Sequence, residues 1–120
     1  MESPTNPNSS EEFPINIEEA LERFGDDRDF LKEMIQEFLD YIPGQLEAIR
    51  KAIADQSPET LQTEGHSVKG AAANLAAEPV RRLAYQIEMI GREGKTDGAE
   101  NALTDLTTEL DRLRQFAETI

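Results

Sequence analysis

DRDFLKEMIQEFLDYIPGQLEAIRKAIA, residues 27–54, is the stretch on which the fold turns. Phe30, Met34, Phe38, Ile42, Leu46, Ile49 and Ile53 recur three and four positions apart, the rhythm that lines side chains along one face of an α-helix. Pro43 falls inside this run. The apolar rhythm continues across it, which predicts a kink rather than a break. A helix apolar along one side only must bury that side against other helices.

Such helices are found on both sides of it. Upstream, Asn16 with Glu19 resembles a capping box that opens a short helix carrying Ile17, Leu21 and Phe24, with Gly25 as its stop. Downstream, Ser57-Pro58-Glu59 reads as an N-cap, a proline in the first turn and an acid near the positive end of the helix dipole. This third helix is predicted to run to Leu75 or Ala76. Pro79 opens a fourth helix with the stripe Val80, Leu83, Ile87 and Ile90, and Gly91 or Gly94 stands near its end. Thr96 or Asp97 is expected to cap a fifth, with Leu103, Leu106, Leu110, Leu113, Ala117 and Ile120 as its seam. Nothing alternates with period two. The expected architecture is an all-α, antiparallel up-down-up-down four-helix bundle over residues 14–120, with the short first helix as a lid. Residues 1–13, rich in Pro, Ser, Asn and Glu, read as a disordered leader or linker.

Composition narrows the function classes. The 120 residues are 31% charged and 38% apolar, a globular balance for one domain. No apolar run approaches the roughly 18–20 residues that span a bilayer, and no secretory signal pattern opens the chain. Without cysteine there is neither a disulfide framework nor thiolate chemistry, and cytoplasmic residence is the simplest expectation. A net charge of −13 argues against a nucleic-acid partner. The charge is uneven, however. Residues 66–95 hold five bases (Lys69, Arg81, Arg82, Arg92, Lys95) against three acids (Glu78, Glu88, Glu93), a locally basic island around the single histidine.

That histidine lies in HSVKGAAANLA, residues 66–76. At about 100° per residue, Leu61, Val68, Ala72 and Leu75 form the core stripe of the third helix. His66 then points outward, with Lys69, Gly70 and Ala73 on its own face. An outward imidazole is free to act as a nucleophile near neutral pH. Lys69 supplies a point charge suited to phosphoryl oxygens. Gly70 costs a helix about 1 kcal/mol relative to alanine, which makes sense where another molecule must come close. Taken singly each residue has a bland reading; together, on one bare face, they point to phosphoryl chemistry.

The segment resembles the HxxKGxxxxLG motif of the histidine-containing phosphotransfer (HPt) family, and the resemblance runs from residue 15 to about 118. It takes in Phe24-Gly25, Pro43 in the long helix, and Leu83-x-x-x-Ile87-Glu88-x-x-Gly91-Arg92. By this resemblance, His66 accepts a phosphoryl group on Nε2 from the aspartyl phosphate of a receiver domain, Lys69 contacts the phosphoryl group, and Gly70 leaves room for the receiver. Glu88 stands where relatives place an acceptor for Nδ1; a solvated helix-face acid is the alternative. Arg92 matches a Gly-Arg ending and is expected either to screen phosphate or to form an ordinary salt bridge. Two departures stand out. Ala76 replaces the usual glycine, so the third helix lacks its left-handed stop, and Glu64 falls near the core side of the helix.

The implied role is a phosphorelay intermediate that passes phosphate between receiver domains of response regulators or hybrid kinases. It has no kinase activity and no cofactor of its own, and Mg²⁺ belongs to the receiver. A non-phosphorylated adaptor bundle that binds receivers or kinases is the alternative. A carboxylate metal enzyme would want two Glu-x-x-His motifs, and the chain has one histidine and neither motif. No nucleophile elbow, phosphate loop or kinase motif is present. One bundle core accounts for the apolar residues, so a monomer is expected, and the initial Met favours a module that stands alone.

Overall fold

Asn16 and Asp27 begin the first two helices by the same device. The Asn16 side chain accepts from the Glu19 N–H at 3.1 Å and the Asp27 carboxylate from the Phe30 N–H at 3.0 Å, each satisfying a donor that has no partner inside its helix. The computed structural model describes residues 12–120 and contains five helices: α1 (Ile17–Arg23), α2 (Arg28–Ala54), α3 (Pro58–Asn74), α4 (Glu78–Arg92) and α5 (Ala99–Ala117). No strand occurs among the described residues. The capping box at α1 is half formed, because the Glu19 carboxylate turns forward to Arg23 at 2.9 Å. α2 continues through Pro43 as one element, as its unbroken apolar rhythm predicts.

Two expected caps differ. Ser57 holds the N-cap position of α3, but its hydroxyl donates to Thr60 Oγ1 rather than accepting from the backbone. α5 is entered through Gly98, at φ +86°, and not through a Thr96 or Asp97 side chain. A left-handed residue at that point reverses the chain so that Ala99 is buried from the first turn.

α2, α3 and α4 close by similar left-handed turns, with Gln56, Ala76 and Gly94 at φ +53°, +57° and +79°. In α3 the Ala77 N–H donates to Ala72 O at 3.0 Å and the Ala76 N–H to Ala73 O at 3.0 Å, the paired bonds of a Schellman motif. The expectation that α3 lacks its left-handed stop is therefore corrected. Ala76 adopts the conformation without being glycine, at a cost of about 1–2 kcal/mol. Its surroundings hold it there, since Ala76 is buried and its carbonyl accepts from the Asn16 N–H at 2.9 Å. α3 has no basic residue in its last turn. Arg23 of α1 supplies the missing charge, Nη1 donating to Ala73 O at 2.6 Å and Asn74 O at 3.0 Å.

α2 to α5 form the four-helix bundle in sequence order, each packed on the next and α5 returning against α2, with α1 across one end. Leu31, Ile35, Ile42 and Ile49 of α2 meet Leu61 and Val68 of α3, Val80 and Ile87 of α4, and Leu106 and Leu113 of α5 in the core. In the first half of α2 the buried row is Leu31/Ile35, not Phe30/Met34. Phe30 is 40% exposed and stacks edge-on against Phe24 of α1, ring centres 5.6 Å apart. Both rows satisfy the helical period, and the positions of the neighbouring helices choose between them. No helix among the described residues is long and apolar enough to cross a membrane. Residues 1–11 of the proposed 1–13 leader lie outside the described residues. Glu12 is described, and Arg82 holds its carboxylate at 2.5 and 3.0 Å while Arg112 donates to its carbonyl.

The tightest contact in the bundle is α3 on α4, and two glycines set it. A Cβ at Gly65 would lie 2.7 Å from the Glu88 backbone N, and one at Gly91 would lie 2.5 Å from both Gln62 N and Pro58 O. Backbone meets backbone at each point, so neither position has space for a methyl group. This contact brings the α4 side chains up to the histidine.

Candidate functional site

His66 sits mid-way along α3 with its side chain 67% exposed, on the outward face that the helix wheel predicts. Gly70, one turn on, faces open space: a Cβ there meets nothing within 4 Å. Ala73 is exposed on the next turn, while Leu61, Val68, Ala72 and Leu75 are all buried. The ring therefore stands on a cleared strip of helix. Tyr85 of α4 and Tyr41 of α2 are both partly exposed, Tyr41 accepting from Gln45 Nε2 at 2.7 Å.

Behind the ring lies the one buried charged residue among those described. Glu88 is 2% exposed, and the alternative of a solvated surface acid is ruled out. Its Oε2 is 3.1 Å from His66 Nδ1 and 3.3 Å from Arg92 Nη2, and its Oε1 is 2.8 Å from Lys69 Nζ. The Lys69 contact is a close ion pair that lacks hydrogen-bond alignment, since Oε1 has no aligned donor. Lys69 is itself largely covered and lies 5.2 Å above the Tyr85 ring centre. A carboxylate this deep would be untenable alone; three nitrogen groups around it make it tolerable.

Burial pushes the Glu88 carboxyl up, but the Lys69 ammonium and the His66 ring outweigh it and hold the group below its ordinary value of 4.5. An ionised carboxylate only accepts hydrogen bonds, so the ring nitrogen facing it must carry the hydrogen. In the neutral ring this leaves the lone pair on Nε2, which points away from Glu88. A group lowered in the folded state contributes stability that is present above its unfolded value and lost as pH falls through the folded one. Glu88→Gln is expected to unfold about 1–2 kcal/mol more easily at neutral pH, and the deficit should shrink towards about pH 3. Urea denaturation at the two pH values measures this, and a deficit that does not depend on pH would contradict it.

The structure thus brings His66, Lys69 and Arg92 onto the Glu88 carboxylate and places Gly70 on the open face beside them. Lys69 does not extend freely into solvent, and Arg92 pairs with the site's own acid. Gly65 was legible but unread: Leu61, Gly65, Val68, Ala72 and Leu75 keep the 4-3-4-3 spacing of the buried stripe. The structure gives the core-side position to Gly65 and leaves Glu64 only half-buried. Tyr85 beneath Lys69 carries no sequence signal of its own. Among the described residues no group of three or more His, Cys, Asp or Glu is arranged to hold a metal ion.

Known proteins resemble this chain in sequence and in fold. The chain is 25% identical over 116 residues to the signal transduction histidine-protein kinase BarA of Shigella flexneri, covering 96% of this chain and 12% of that kinase's length. The fold superposes on the crystal structure of histidine-containing phosphotransfer protein B of Pseudomonas aeruginosa PAO1 with a TM-score of 0.81 at 16% identity, covering 92% of this chain and 95% of that one. It also superposes on the HPT domain of a Shewanella sensor hybrid histidine kinase with a TM-score of 0.72 at 21% identity, covering 89% and 92%. The sequence profile of the Hpt domain spans residues 33–116, from the second turn of α2 to the last turn of α5, and through that match the chain belongs to the Hpt domain family.

Proposed function

We propose that the protein is a phosphorelay intermediate of two-component signalling, which takes a phosphoryl group from a receiver aspartate onto His66 Nε2 and gives it to another receiver. The observation that carries this reading is the buried Glu88 carboxylate against Nδ1 of an otherwise exposed ring. The carboxylate fixes one ring nitrogen and so sets the tautomer, while the other nitrogen is presented to solvent. In the transfer, the Nε2 lone pair attacks phosphorus, the N–P bond forms, and the P–O bond to the aspartyl carboxylate breaks. No proton moves. The ring gains a positive charge shared with Nδ1–H, which Glu88 stabilises as it accepts from that nitrogen. Lys69 balances charge on the phosphoryl oxygens, Arg92 adds a second cation beside the carboxylate, and Gly70 leaves the receiver a path to the ring. The receiver brings its own Mg²⁺, and the module has no kinase activity.

Incubation with a phosphorylated receiver should label the protein with an acid-labile, alkali-stable phosphate, and His66→Gln should abolish the label. A Gln variant labelled as well as the wild type would remove His66 from the role. A wild type that binds receivers but is never labelled would make the module an adaptor.

A further inference from the structure

The resting site poses a conflict for Lys69. An ammonium drawn towards phosphoryl oxygens on Nε2 gives up part of its contact with Glu88 Oε1, now 2.8 Å away, and so loosens the nearest cation of a buried carboxylate. A second cation is already waiting. Arg92 lies one helical turn beyond Glu88, with Nη2 3.3 Å from Oε2, longer than the roughly 2.7–2.9 Å of a fully formed charge-assisted bond. Its side chain is 56% exposed and has room to tighten. The backbone under it does not shift, because Gly91 seats the end of α4 directly on Pro58 and Gln62. Lys69, by contrast, has a flexible four-carbon stem and shares its helix face with His66.

We infer that Arg92 is a positioning residue that acts through Glu88: it takes over the carboxylate as Lys69 swings to the incoming phosphoryl group, so that Glu88 keeps hold of Nδ1 throughout. The inference rests on the phosphocarrier reading and sharpens it. It separates two roles that a basic residue at this position can have, since a guanidinium that merely screened phosphate would act whether or not Glu88 were there. The exchange also matches charge to the stage of the reaction. Before transfer, Lys69 and Arg92 share the carboxylate. Afterwards Lys69 faces the phosphoryl oxygens, while Arg92 and the positively charged phosphoimidazole share Glu88. No buried charge is left alone at either stage.

The test is a double-mutant cycle with phosphoramidate as the donor, a small molecule that needs no docking surface. The rate of phosphohistidine formation is followed by ³¹P NMR. Arg92→Gln should slow labelling about tenfold, and Arg92→Lys should restore it to within about threefold. In a Glu88→Gln background, where no carboxylate retains Lys69, the same Arg92→Gln change should alter the rate less than about twofold. Imidazole ¹⁵N shifts should place the hydrogen of the neutral ring on Nδ1 with Arg92 present. An equal loss in both backgrounds would make Arg92 a direct screen of phosphate and overturn the inference, as would a full rate for Arg92→Gln alone. A wild type that phosphoramidate labels no better than His66→Gln would instead bring down the carrier reading, and this inference with it.

Discussion

Gly70→Gln is expected to raise stability by about 0.5–1 kcal/mol while cutting phosphoryl transfer from a receiver about a hundredfold. The two effects have separate causes. Gly70 lies inside α3, where glycine carries an entropic cost that a good helix former removes, and a side chain there meets nothing within 4 Å. The protein itself thus offers no reason for a glycine at this position. On the phosphocarrier reading a receiver does, because its phosphoaspartate must come within bonding distance of His66 Nε2, and a displacement of about 1 Å is enough to cost two orders of magnitude. Thermal unfolding and receiver transfer, measured on the same preparation, should move in opposite directions. Labelling by phosphoramidate should change little, since a small donor passes a glutamine side chain. Receiver transfer within about threefold of wild type would show that docking takes place elsewhere.

Gly91→Ala should do the reverse, damaging the fold first and the site as a consequence. Its new methyl would fall 2.5 Å from Pro58 O and from Gln62 N, both backbone atoms in the first turns of α3 that no rotamer change can move. Overpacking of this kind costs on the order of 3 kcal/mol, partly offset by the better helix propensity of alanine. Tm should fall by roughly 10 °C. If α3 and α4 separate to admit the methyl, Glu88 retreats from His66, so phosphoramidate labelling should fall as well. Gly65→Ala tests the other end of the same contact, against the Glu88 backbone. A Gly91→Ala protein with wild-type Tm would mean that the helices approach less closely than described.

These two glycines look alike in a sequence and are opposites in space. Gly70 could be placed on the exposed face from the helix period alone, and so could His66 and Lys69, because the 4-3-4-3 apolar stripe fixes which way α3 is turned. The five helices were legible for the same reason, and so were the main faces of α3 and α5. Less legible was anything decided between elements. The choice of Leu31/Ile35 over Phe30/Met34 depends on where α1 and α5 lie. Ala76 takes a left-handed conformation that its own chemistry disfavours, because Ala72, Ala73 and Asn16 bond the turn in place. Glu88 could be aligned with His66 through the family resemblance, but its burial could not, since an acid on an amphipathic helix ordinarily faces water. That two cations and an imidazole converge on it depends on the approach of α3 and α4, which two small residues permit.

The guanidinium of Arg23, bonded to the final carbonyls of α3, bears on where this module can be cut. The stretch matched by the Hpt domain profile begins at residue 33, past all of α1 and the start of α2. A fragment trimmed to that boundary would keep His66 and the Glu88 carboxylate, yet leave the end of α3 with bare oxygens and an alanine turn without its Asn16 strut. By this measure the cooperative unit opens near Ile15, which is buried, rather than where sequence similarity becomes strong.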